Sequence, residues 1–372
     1  MEKNEMMDLI KKHEEYRLSG INLISSENRM NERALVALSS DLAGRYGDKW
    51  YGGSEYSIKI YENVIKLTKK LFKVRHAIVT PLSGNLCNLA VIFSFSKPGD
   101  KIAGIPKEKG GYPFGYEKFN RKLYKISMRG YEIDVEKIRR QDVSFVLLAS
   151  SIFLFPHPVK KISEIFDSII VYDASHVLGL IAGGEFQQPF KEGASVVIGS
   201  THKTFPGPQG GIVLINDDAI NEKLEEYLLF NFDAGIGLID NMHINRIASL
   251  GIVMEEMIEK GKNYAKQTIK NAKRLASFLH ENGLRVKYPE KGYTESHQIL
   301  LDMNKKQAYK FFKELEKNKI FIDCIGRIGV AEATHIGMKE KEMDEIAEMM
   351  IDVHEGKNVK KRAMELAMRF YY

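Results

Sequence analysis

Cysteine is nearly absent: Cys87 and Cys324 are the only two in 372 residues, which argues against a disulfide framework and a cysteine-built metal site. The ten histidines show no clustered ligand spacing, so no metal is expected. No apolar run approaches the length of a bilayer span, and Met1-Glu2-Lys3-Asn4-Glu5 lacks the charged-then-apolar pattern of a secretion signal. No membrane association and a cytoplasmic location are therefore expected. A strong excess of one charge is missing too. The 55 basic and 49 acidic residues give +6, spread along surface helices such as 260–273 without aromatic-basic interleaving, which argues against nucleic acid as a partner. What is present is a globular composition, 44% hydrophobic and 28% charged, enough for a large core and two domains.

Apolar periodicity divides the chain. Residues 1–20 read as an N-terminal amphipathic helix with Met6, Met7 and Ile10 on one side, packing on a partner subunit or on the main body. From 21 to 240, apolar runs at 76–80, 101–105, 144–149, 168–172, 194–199 and 211–215 alternate with helical spacings, among them 31–42, 55–73 and a helix opened by Pro81 and running through Ser94. That alternation predicts an α/β large domain with a mainly parallel sheet flanked by helices. From 241 to 372 the texture changes. A long helix over about 240–281 ends at Asn282-Gly283, followed by strands at 297–302 and 320–324 and helices at 305–318, 339–354 and 357–372, an interdomain helix plus a smaller α+β domain.

The most informative stretch is Gly199-Ser200-Thr201-His202-Lys203-Thr204, followed by Gly207-Pro208-Gln209-Gly210-Gly211. A lysine at the end of a buried strand is poorly hydrated, can lose its proton and can form a Schiff base with an aldehyde. A surface loop lysine is the plainer reading. Thirty residues earlier, the run 169–172 ends in Asp173 with His176 three residues on, as if a strand delivered a carboxylate to the carboxyl edge of a parallel sheet. A helix N-cap would fit the same spacing. Lysine and carboxylate together suggest pyridoxal 5'-phosphate (PLP), which needs a Schiff-base amine and an acidic partner for its pyridine nitrogen. Pro81-Leu82-Ser83-Gly84-Asn85 opens a helix after a strand and is a candidate phosphate site, although many such turns bind nothing. The loop from Arg45 to Tyr56 carries three tyrosines, the single tryptophan and two adjacent glycines, more amphipathic aromatics than a linker needs. Arg327, between Gly326 and Gly329, could grip a carboxylate through two parallel hydrogen bonds, though most arginines are simply solvated.

Taken in order, these segments resemble serine hydroxymethyltransferase, a family of fold type I (aspartate aminotransferase-like) PLP enzymes. The pieces that carry the likeness are Leu23-Ile24-Ser25-Ser26-Glu27-Asn28, Tyr51-Gly52-Gly53-Ser54-Glu55-Tyr56, Ser83-Gly84-Asn85, the run from Tyr172 to Leu180, Ser200-Thr201-His202-Lys203-Thr204 and Arg327. The resemblance implies that Lys203 forms the Schiff base, Asp173 faces the pyridine nitrogen and His176 neighbours the ring. It implies that Ser83, Gly84 and Asn85 cup the phosphate, that His202, Ser151 and Ser200 lie around the cofactor, and that Arg327 with Ser26 holds the substrate carboxylate. Tyr46, Asp48 and Tyr51 would complete the site of the other subunit in a homodimer.

Departures from the family pattern bear on the reaction. Asp48 stands where the family has a glutamate that handles the proton of the substrate hydroxyl, and the aromatic expected to stack on the ring is Tyr112 in place of a histidine. Gln209 replaces an arginine in the glycine-rich turn, and the loop before Arg327 is compressed to Asp323-Cys324-Ile325-Gly326. These changes leave the PLP machinery whole and put the use of tetrahydrofolate in question. The expectation is an enzyme acting on small β-hydroxy amino acids, interconverting serine and glycine or cleaving serine or threonine without folate. The alternative is another fold type I reaction, such as transamination, decarboxylation or β-replacement.

Overall fold

The computed structural model describes residues 5–371; the expected helix residues Met1 to Asn4 and Tyr372 lie outside the described residues. The chain forms two compact units, residues 28–265 and residues 1–27 with 266–372.

The 28–265 unit is built on a seven-stranded sheet of β1 (His76–Ile78), β2 (Lys101–Gly104), β3 (Lys122–Lys125), β4 (Phe145–Ala149), β5 (Ile169–Asp173), β6 (Val196–Ser200) and β7 (Gly211–Ile215). In space their order is β1-β7-β6-β5-β4-β2-β3. The five strands from β6 to β3 run parallel, and β7 lies antiparallel to both β6 and β1. All of β4, β6 and β7 is buried, which is why these strands read as continuous apolar runs: helices cover both sheet faces, and neither face needs polar side chains. Edge strand β3 is Lys-Leu-Tyr-Lys with both lysines exposed. Lysine on an edge discourages further strand pairing, and it also erased the apolar signal, so this strand was not expected from the sequence. The core beneath the sheet gathers Ile78, Val91, Phe145, Leu147, Val171, Ile198, Val213 and Leu224.

Helices fall close to the expected spans, with shorter ends. The expected 31–42 helix is Glu32–Leu38, capped by the Asn31 side chain accepting from Ala34 N at 2.9 Å, with a separate 3-10 turn at Asp41–Gly44. Glu55–Phe72 ends at Lys73 in the left-handed region. Gly84–Phe95 begins one residue after Ser83, whose Oγ accepts from Leu86 N at 3.2 Å.

In the other unit, Ile21–Asn22 pairs in parallel with Ile320–Phe321, and Gln298–Leu300 pairs antiparallel with Arg327–Gly329. Leu275, Leu279, Phe311, Leu315, Ile346, Met350 and Leu366 pack its core. The Glu5–Leu18 helix leaves Met6, Met7, Leu9 and Ile10 exposed. The Ile244–Glu281 helix runs continuously through residue 265, where the two units divide.

Candidate active site

Three neighbouring parallel strands end side by side. Ala149 on β4 is paired with Asp173 on β5, and Asp173 with Ile198 on β6. Their carboxyl ends release Ser150-Ser151, Asp173 to His176 and Ser200 to Lys203 at one edge of the sheet, where open α/β folds place ligands.

Asp173 is 5% exposed. Its Oδ1 accepts from Ser175 N at 2.9 Å and its Oδ2 from Asn88 Nδ2 at 3.1 Å. Two donors meet the hydrogen-bonding demand of a carboxylate taken out of water. Its charge is felt nearby: the Tyr112 hydroxyl is pushed above its usual range by burial first and by Asp173 second, and the buried Cys87 thiol likewise. Both groups therefore keep their protons at neutral pH.

Lys203 Nζ lies 3.4 Å from His176 Nε2. The loop that carries Lys203 is held through main chain and side chain: Lys203 O accepts from Asn28 Nδ2 at 2.7 Å, Thr204 O accepts from Tyr264 Oη at 2.7 Å, and Thr204 Oγ1 accepts from Gly179 N at 3.0 Å. Beside it, His202 Nδ1 is buried with no hydrogen-bond partner among the described residues. Burial, and secondly the charge of Lys203, hold the His202 ring down at about 4, so it is neutral near pH 7 with one nitrogen free to pair.

The first turn of the Gly84–Phe95 helix faces the same edge. Ser200 N donates to Ser175 Oγ at 2.9 Å, and a Cβ on Gly84 would lie 2.5 Å from Ser200 Oγ and 3.0 Å from Ser175 Oγ. Only glycine lets the helix start that close to β6. Asn85 Oδ1 accepts from Tyr112 Oη at 3.2 Å, Tyr112 N donates to Ala149 O at 2.9 Å, and Ser151 N donates to Gly110 O at 2.7 Å. Ser83, Gly84, Asn85, Tyr112, Ser151, Asp173, His176, Ser200, His202 and Lys203 are thus placed by one sheet edge and the loops that meet it.

The aromatic loop is tied mainly to itself. Tyr46 stacks on Tyr51 at 4.4 Å, Asp48 Oδ1 accepts from Trp50 N at 2.9 Å, and Trp50 meets Phe232 edge-on at 4.8 Å. None of these contacts runs to Lys203 or Asp173. Ser26 and Arg327 belong to the other unit. There Arg327 Nε donates to Asp323 Oδ2 at 2.7 Å, and the strand carrying Arg327 is joined to the segment before Ser26 by Gly329 N donating to Leu23 O at 2.8 Å.

Several groups at this edge had no role assigned from the sequence: Asn88, Ser175, Asn28 and Tyr264. Asn88 is four residues after Gly84 and bonds its carbonyl oxygen at 3.2 Å, so helical spacing alone puts it behind the cradle; its reach to Asp173 depends on how helix and strand pack.

The donor set fits PLP. An amine, a carboxylate held by two N–H donors, and a helix whose first N–H groups have no intrahelical acceptor match the cofactor's aldehyde, ring nitrogen and phosphate, and the orphaned His202 nitrogen has a use beside such a group.

The family model of serine hydroxymethyltransferase matches residues 1–350. The chain is 39% identical to serine hydroxymethyltransferase of Methanothermobacter marburgensis, over 96% of this chain and 92% of that protein. It is 36% identical to that of Pyrococcus furiosus, over 96% and 93%. Among solved structures, L-threonine transaldolase of Pseudomonas fluorescens superposes with a TM-score of 0.88 at 25% identity, covering 98% of this chain and 91% of that one. Likeness along nearly the whole chain, in sequence and in fold, makes it a member of the serine hydroxymethyltransferase family of fold type I, PLP-dependent enzymes.

Proposed function

We propose that the chain interconverts serine and glycine, with PLP anchored on Lys203. The observation that carries the reading is the meeting of Lys203, His176, Asp173 and the Ser83–Asn85 turn at one sheet edge. When bound, PLP supplies the electron sink for the pair released as the substrate Cα–Cβ bond breaks. Asp173, steadied by Ser175 N and Asn88 Nδ2, presents a carboxylate to the pyridine nitrogen. Ser83 Oγ and the free N–H groups of Gly84 and Asn85 take the phosphate, with Ser200 behind them. Tyr112 offers a ring face while its hydroxyl is pinned on Asn85. Neutral His202, with Ser151, completes the polar wall, and Lys203, its Nζ 3.4 Å from His176 Nε2, is the amine that would hold the cofactor's aldehyde. Arg327 and Ser26 take the substrate carboxylate.

The same proposal includes a homodimer in which Tyr46, Asp48 and Tyr51 serve the other subunit, Asp48 holding the proton of the substrate hydroxyl. Exposed Tyr46, Trp50, Tyr56 and Ile236 on one unit and Met6, Met7 and Leu9 on the other support an interface, since a monomer gains nothing by showing them to water. The domain division 1–20, 21–240 and 241–372 and a cytoplasmic location also belong to it. Among the described residues no helix is long and apolar enough to cross a membrane.

A second reading, folate-independent cleavage of threonine or serine, is favoured by the likeness to a threonine transaldolase and by the short Asp323–Gly326 loop. Product analysis separates the two. Under the first reading serine gives glycine only with tetrahydrofolate, which takes up the released one-carbon unit; under the second, serine alone gives glycine and formaldehyde, and threonine alone gives glycine and acetaldehyde. Keto acids or carbon dioxide in place of glycine would overturn both.

A further inference from the structure

Arg246 lies two residues into the Ile244–Glu281 helix and is 6% exposed. Its Nη2 donates to Val79 O at 2.8 Å and Thr80 O at 3.0 Å, while Nε and Nη1 are enclosed with no hydrogen-bond partner among the described residues. A guanidinium buried without an opposite charge is costly, and its unmade hydrogen bonds add to that cost. Such a group is kept when its charge is answered in the working state.

Its surroundings say where. Val79 and Thr80 lead from β1 into Pro81-Leu82-Ser83, the turn that caps the phosphate-facing helix. Pro81 O accepts from Gly211 N at 2.7 Å, and Thr201 N donates to Gly210 O at 3.1 Å. A Cβ on Gly210 would lie 2.6 Å from Arg246 Nη1 and 3.0 Å from Thr201 Oγ1. One guanidinium therefore backs both the turn before Ser83 and the glycine turn after Lys203. Because the two unpaired nitrogens are enclosed, no ligand atom reaches them, and the charge acts through the low-dielectric interior.

We propose that Arg246 is a positioning residue for the cofactor's phosphate: it fixes the turn carrying Ser83 and supplies the buried positive charge that the phosphate dianion answers. The inference rests on PLP binding at Ser83–Asn85. It goes further by assigning part of the phosphate affinity to a residue that cannot touch it.

The test compares binding of PLP with that of pyridoxal, which lacks the phosphate, in wild type, Arg246→Met and Arg246→Lys, by equilibrium titration of the cofactor absorbance. Arg246→Met should weaken PLP binding by about 10- to 50-fold and pyridoxal by less than about threefold, the size of one buried charge interaction. Arg246→Lys should restore most of the preference. Equal loss for both ligands, or none, overturns the inference and leaves the cofactor reading intact. Wild type that binds neither ligand overturns both. Should Arg246→Met fail to fold, Gly210→Ala serves instead: its Cβ displaces Nη1, so a lowered PLP-to-pyridoxal preference supports the inference and an unchanged one refutes it.

Discussion

Gly179→Ala puts a methyl group where the structure has no room. The new Cβ would lie 2.2 Å from Thr204 O, 2.5 Å from Thr204 C and 2.9 Å from Phe205 N, all backbone atoms. A carbon needs about 3.2 Å from a carbonyl oxygen, so the loop must retreat by about 1 Å. Overpacking of that kind costs ~1–3 kcal/mol, and the hydrogen bond from Gly179 N to Thr204 Oγ1 at 3.0 Å adds ~1 kcal/mol when lost. The sum is about 3 kcal/mol, a fall in Tm of roughly 4 °C for 372 residues at an unfolding entropy of ~2.1 cal/mol/K per residue. The displaced residue follows Lys203 directly, and a 1 Å misplacement of a reacting group costs on the order of 100-fold in rate. Thermal unfolding and turnover of serine, with Gly44→Ala as control because nothing lies within 4 Å of a Cβ there, measure both effects. A variant with wild-type Tm and turnover would refute this account of how the Lys203 loop is held.

The remaining predictions are shorter. Burial holds His157 at about 3 and His202 at about 4, below the usual 6.5. The unfolded chain therefore takes up about two more protons than the folded one between pH 6.5 and 4, stability is complete above pH 6.5, and it falls by up to about 2.7 kcal/mol per pH unit inside that window. Denaturant melts at pH 7, 6 and 5 read the slope, and a flat profile contradicts the burial of these rings. Arg327→Ala should raise KM for serine by at least about 100-fold, since a bidentate charged contact is worth ~3 kcal/mol; an unchanged KM assigns the carboxylate to another group. Tyr112→Phe removes only the 3.2 Å bond to Asn85 and should weaken PLP binding by less than about tenfold, with more than that pointing to a role for the hydroxyl itself.

Why some of this was legible in the sequence follows from burial. Strands β4, β5, β6 and β7 sit between helices, so their apolar runs show plainly, and Asp173 and Lys203 are conspicuous because they interrupt or follow such runs. Strand β3 was illegible because edge lysines replaced its apolar pattern. The antiparallel entry of β7 leaves no mark on composition, since a buried strand looks the same in either direction. Asn88 and Ser175 are ordinary helix and turn residues until packing brings them to Asp173. Arg246 reads as a solvated helix residue. The available signal was that it lies among Met242, Ile247 and Leu250 with no acidic residue three or four positions away, a poor place for a surface cation.

Borohydride reduction of the protein with its cofactor, followed by peptide mapping, reaches the core of this account. A pyridoxyl label confined to Lys203, and lost from Lys203→Ala, is the predicted result. A label on another lysine, or none after fresh PLP is supplied, contradicts it.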